Sequence, residues 1–78
     1  MYEVDPIEGL YDLPNDVLAG LAELRAALEL SPHSVGRPWV RTNPTGMRVA
    51  EFVSGRAFLV FGVLEQEGRV AIYDLIVY

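Results

Sequence analysis

The chain has 78 residues and a mass of 8.7 kDa, enough for one domain with a single small core. A chain of this size buries only about 60% of its unfolded surface, so a disulfide, a metal or a partner usually adds stability. It has no cysteine and one histidine, His33, which excludes disulfides, thiolate zinc sites, a cysteine nucleophile and a cage of histidines.

A partner is the helper that remains. With 51% hydrophobic and 22% charged residues the composition is that of a folded domain. No apolar run approaches the roughly 18 residues that span a bilayer. Residues 1–6 carry Glu3 and Asp5 and no positive region, unlike a signal peptide. The expectation is one soluble, cytoplasmic domain over residues 1–78, with no membrane association.

The net charge is −5, and all six cations are arginine. An acidic chain is a poor general binder of nucleic acid, whose affinity comes mainly from phosphate neutralisation. The charge is unevenly spread, however. Residues 1–30 hold seven acids and only Arg25, whereas residues 31–56 hold Arg37, Arg41, Arg48 and Arg56 against Glu51 alone. That basic stretch reads either as a solvated loop or as an anion-binding patch, for which the forked guanidinium is suited.

In chain order, residues 1–4 suit a short strand that Asp5-Pro6 ends, and residues 7–12 a turn of helix. Pro14 suits the first turn of a second helix, followed by the polar Asn15 and Asp16. Val17, Leu21, Leu24 and Leu28 then recur at spacings of four, three and four and predict an amphipathic helix up to Leu30. Arg25 and Glu29 form an i,i+4 pair off the stripe. Ser31-Pro32 ends the helix.

Residues 31–46 read as a long connection with turn signals at Gly36-Arg37-Pro38 and Asn43-Pro44-Thr45-Gly46. Trp39, the one tryptophan, lies within it and serves either to pin the loop or to stack on a base. Residues 47–53, 56–64 and 69–78 predict three strands, joined by Ser54-Gly55 and by Glu65-Gln66-Glu67-Gly68. Ala57-Phe58-Leu59-Val60-Phe61 and Leu75-Ile76-Val77 are apolar on both faces. One helix layer covers one face of a sheet. The other therefore turns Phe58, Val60 or their neighbours toward solvent, a ligand or another chain.

No P-loop, dinucleotide fingerprint, metal-ligand cluster or catalytic triad is present, so no cofactor or metal is expected. Metal-free RNA cleavage needs a base, an acid and a cation for the phosphorane charge. Arg48, Arg56 and Tyr78 are the residues that would supply them.

The order strand–helix–helix–three strands resembles the RelE/ParE family of bacterial type II toxins. Gly36-Arg37-Pro38 is similar to the small-basic-proline turn after the second helix of YoeB-like members. Gly46-Met47-Arg48-Val49 is similar to the start of the family's second strand, Phe58-Leu59-Val60-Phe61 to its Arg-Leu-Val-Tyr segment, and residues 70–78 to its closing strand. The resemblance implies an α+β fold, with an N-terminal short strand and a helical hairpin packed on one face of a C-terminal antiparallel β-meander. It implies a cognate antitoxin as partner and, for RelE-like members, inhibition of translation by ribosome-dependent mRNA cleavage.

By position, Arg48 matches the strand arginine that contacts phosphate, and Tyr78 the C-terminal tyrosine. Phe58 stands at the family's catalytic arginine, with Arg56 two residues earlier on the same strand face, and Val77 stands at a penultimate histidine. Arg37, Trp39 and Arg41 complete the expected RNA-binding set. The alternative is a non-catalytic protein-binding module on the same fold, either a ParE-like gyrase inhibitor or an inactive toxin relative. The uncovered sheet face suits an antitoxin or, in a homodimer, a second copy.

Overall fold

The computed structural model describes residues 1–8, 12–39 and 46–78. Arg41, the expected turn at Asn43-Pro44-Thr45 and residues 9–11 lie outside the described residues. The helical spacing of apolar residues produces α1, Asn15–Leu30. Pro14 sits just outside it, with φ at −57° and its carbonyl accepting the Leu18 N–H at 3.1 Å. A residue with no N–H to satisfy thus opens the helix without loss. Asp16 accepts the Val17 N–H at 2.9 Å and places negative charge in the first turn. Ser31 leaves the helical region ahead of Pro32, as expected.

The sheet contains β1 (Glu3–Val4), β2 (Arg37–Pro38), β3 (Arg48–Phe52), β4 (Ala57–Leu64) and β5 (Arg69–Val77), in the order β1-β5-β4-β3-β2. β3, β4 and β5 form the expected antiparallel meander. β1 instead lies parallel to β5, with Glu3 opposite Arg69 and Val4 opposite Val70. β2 lies antiparallel to β3, with Arg37 opposite Val49. The fold is therefore α+β, with one helix and a five-stranded mixed sheet.

The expected helical turn over residues 7–12 falls in part on residues 9–11 and to that extent lies outside the described residues; Ile7 and Glu8 are irregular, and α1 is the one α-helix among the described residues. One expectation is corrected. Gly36-Arg37-Pro38 is not only a turn, because its last two residues pair at the sheet edge, where a proline's missing N–H is tolerated. Gly36 makes that pairing possible. Its φ is +69°, and a Cβ there would lie 2.3 Å from the Val49 carbonyl oxygen.

Val17, Leu21 and Leu28 of α1 pack on Val4, Ala50, Leu59, Phe61 and Val70. Leu28, Leu59 and Phe61 are fully buried, and each such side chain contributes roughly 1.5–3 kcal/mol by leaving water. Arg25 does not serve a helix-surface pair with Glu29. Its Nη2 donates to the Val4 carbonyl at 3.1 Å, while the Glu29 backbone carbonyl accepts the Tyr2 N–H at 2.8 Å. These two bonds fasten β1 to the helix.

Register divides the side chains between the two sheet faces. Ala50, Leu59 and Leu75 form one row toward α1, and Val49, Val60 and Asp74 the next row on the opposite side. On β5 the pairing slips, so that Val60 faces Asp74 and Phe61 faces Ile72, which makes Tyr73 a bulge residue. The slip lets both Ile72 and Leu75 pack against the core. Tyr73 lies over Gly62, where a Cβ would approach its ring to 2.8 Å.

Candidate functional site

Among the described residues, the face opposite α1 brings together Arg37, Trp39, Phe58 and Tyr78. Arg37 and Trp39 are two residues apart on the edge strand and so point the same way. The Trp39 N–H donates to the Met47 carbonyl at 2.7 Å and carries the pairing one residue past β2. Phe58 and Ile76 are cross-strand partners, and the Tyr78 N–H bonds the Arg56 carbonyl at 2.8 Å, which extends the β5 ladder.

Arg37, Trp39, Val49, Phe58, Ile76 and Tyr78 together line a groove of about 300 Å³. The Phe58 and Tyr78 rings meet edge to face at 5.7 Å. Trp39 is 49% exposed and Tyr78 81%. Such rings present large apolar area at low entropy cost.

Of the residues expected on the open side, Val60 does not reach solvent, being only 4% exposed. It sits on the open face between Val49 and Asp74, with Phe58 on one side and Gly62, beneath Tyr73, on the other. Phe58 is half-buried. The exposed aromatic area of this face is carried by Trp39 and Tyr78 at the rim of the groove and by Tyr73 over Gly62.

The main chains of Arg56 and Tyr78 are hydrogen-bonded, but the guanidiniums of the expected catalytic set are engaged elsewhere. Arg48 lies opposite Phe61, on the helix side of the sheet. Its Nη2 donates to the carbonyls of Val35 at 3.0 Å, His33 at 3.3 Å and Gly36 at 3.3 Å, and its Nε reaches Val35 at 3.4 Å. The guanidinium is a clasp for the chain leading into β2. Arg56 forms an ion pair with Asp16 of α1, both side chains being about half exposed. Five residues of β4 separate the Arg48 and Arg56 positions, roughly 16 Å at strand rise. Of the six residues expected to act on RNA, Arg37, Trp39 and Tyr78 come together in the groove, the guanidiniums of Arg48 and Arg56 are engaged elsewhere, and Arg41 lies outside the described residues.

A cluster that the sequence does not signal lies near the start of β5. Tyr2 donates its O–H to both carboxylate oxygens of Glu65, at 2.9 and 3.0 Å, and His33 Nε2 bonds the same carboxylate. The Tyr2 and His33 rings stand edge to face at 6.3 Å. Hydrogen bonds from His33 and Tyr2 hold the Glu65 carboxyl below the usual carboxylate range, and the bond to Glu65 pushes the Tyr2 phenol up. The three side chains tie the chain's start, the 3₁₀ turn Pro32–Ser34 and the β4–β5 connection together. They are 32 and 63 residues apart in sequence, and no local pattern brings them to notice.

The groove offers apolar area, three aromatic rings and one guanidinium, and its one titratable group besides Arg37 is the Tyr78 phenol. Among the described residues no group of three or more His, Cys, Asp or Glu is placed to hold a metal ion, and no helix is long and apolar enough to cross a membrane. Compared with known proteins, the chain matches no family model, no curated protein and no solved structure.

Proposed function

We propose that the chain is a protein-binding module of the RelE/ParE toxin type, that its partner seats on the open face of the sheet, and that it acts through this contact rather than by cutting RNA. The observation that carries the reading is the groove of Arg37, Trp39, Val49, Phe58, Ile76 and Tyr78. Tryptophan, tyrosine and arginine dominate the energetics of protein interfaces, and here they surround an apolar floor. Arg37 suits a carboxylate at the partner's edge, which it engages in a fork.

The engagement of Arg48 and Arg56 within the chain supports the same reading. Arg48 spends its Nε and Nη2 on backbone carbonyls and Arg56 its Nη2 on Asp16, so neither offers its whole fork to a phosphate. Of the carbonyls that Arg48 holds, that of Val35 is part-buried, and leaving it without a donor costs free energy. On this reading the RelE/ParE resemblance supplies the class of partner: an antitoxin that neutralises the chain, and a cellular protein, as for ParE-like members, that the chain inhibits.

Induced expression in a bacterial host tests this. Growth arrest that is lost in Trp39→Ala/Ile76→Ala and kept in Arg56→Ala is the expected result. Arrest that survives loss of the groove and disappears with Arg56→Ala would overturn the proposal, and absence of arrest from soluble, folded protein would discard the toxin reading.

A further inference from the structure

A second surface lies at the other edge of the sheet. β1 pairs with β5 only at Arg69 and Val70, and Pro6 brings no N–H with which to continue the ladder. The Asp5 N–H bonds the Val70 carbonyl at 3.0 Å, so the polar groups of Val70 point outward, and alternation turns those of Ile72 the same way. From the other end, the Tyr78 N–H points inward to Arg56, so Ile76 points inward while Leu75 and Val77 point out. The bulge at Tyr73 reconciles the two ends. Among the described residues no strand pairs with the outer groups of Ile72, Leu75 and Val77. The Asp74 carboxylate instead folds back onto the Leu75 N–H at 2.9 Å.

A cavity of about 650 Å³ runs beside this edge. Ile7, Leu13 and Leu75 give it an apolar wall, and Asp5, Glu8 and Asp74 an acidic one. Arg69, 3.7 Å from Asp5, is the cation paired there. We infer that this edge receives an extended, basic segment of a partner protein as an added strand, with apolar residues alternating with arginine or lysine.

Ile72 to Val77 spans about 17 Å, the length of an ordinary strand, and its outward N–H and C=O groups supply the main-chain bonds. One side of the added strand faces the apolar wall, and its cations face the three carboxylates. As the segment docks, its carbonyl takes the Leu75 N–H, which releases the Asp74 carboxylate to an incoming cation. A second copy of the chain is a poor occupant, because pairing two such edges about a twofold axis brings the same acidic groups together.

The test uses the whole chain and two ten-residue peptides, one alternating valine with arginine and one alternating valine with glutamate. Titration calorimetry is expected to find the arginine peptide bound about tenfold or more tightly than the glutamate one. Its binding slows hydrogen exchange at the Leu75 amide, is weakened several-fold by Asp74→Asn, and is unchanged by Trp39→Ala. The Asp74→Asn side chain retains an oxygen for the Leu75 N–H, so this variant keeps the fold. Equal binding of both peptides, an unchanged Leu75 amide, or loss of binding in Trp39→Ala would overturn the inference.

Discussion

Replacing Arg48 by alanine separates a structural clasp from a catalytic cation. The guanidinium donates to three carbonyls, of His33, Val35 and Gly36, on the segment that leads into β2. A hydrogen bond from a charged donor contributes about 1.5–3 kcal/mol, and three such bonds share one half-exposed group here, so the lower end applies. For a domain of 60–100 residues each kcal/mol moves Tm by roughly 4–8 °C. Arg48→Ala is therefore expected to lower Tm by about 6–12 °C in calorimetry or thermal circular dichroism.

Arg48→Lys keeps the charge, but a single ammonium does not reproduce the planar fork, and it recovers about half of the loss. Arg56→Ala removes an exposed ion pair with Asp16, which contributes about 0–1 kcal/mol, so its Tm stays within a few degrees of the parent. Trp39, three residues past Gly36 and the chain's sole tryptophan, reports the same event by fluorescence. Its emission moves to longer wavelength in Arg48→Ala as β2 loosens. An Arg48→Ala protein that melts within about 2 °C of the parent, with unchanged emission, would refute the clasp.

Two further outcomes follow from the geometry. Gly36→Ala combines a left-handed backbone with a Cβ driven into the Val49 carbonyl, and it is expected to lower Tm and detach β2, read as faster hydrogen exchange at Trp39 and Val49. The Glu65 carboxyl is lowered on folding, so its contribution is present at neutral pH and lost as pH falls through the carboxylate range. The Tyr2 phenol is raised, so its contribution is lost as pH rises past the ordinary phenol range. Glu65→Gln should flatten both limbs of the profile of Tm against pH, and identical profiles would contradict the cluster.

The sequence made the helix and the meander legible because their signals are local. The stripe of Val17, Leu21, Leu24 and Leu28 and the stop at Ser31-Pro32 lie within one element, and the three long strands start and end within a residue or so of expectation. What was hidden depends on contacts distant in sequence. The pairing of Arg37 and Pro38 with β3 was masked by two turn-forming residues, and the parallel β1 is set by two residue pairs with β5. Positive φ at Val53 and Ser54, in the turn before β4, breaks the usual preference of a β-branched residue.

The site was half legible for the same reason. That both faces of β4 are apolar pointed to an uncovered face, and Arg37 and Trp39 lie on it. The arginines were harder. A basic run in sequence looks like one patch, yet strand alternation and the length of the β3–β4 hairpin send Arg37, Arg48 and Arg56 to three different places. Spacing alone does not tell whether a guanidinium is held by backbone carbonyls.

The account's central claim is that the chain acts by binding on the open sheet face. Primer extension on abundant messages, carried out while induced expression arrests growth, tests it most directly. Intact messages are predicted throughout the arrest. New cuts at codon boundaries that vanish in Arg48→Lys/Arg56→Ala would contradict the claim and return these two arginines to the chemistry.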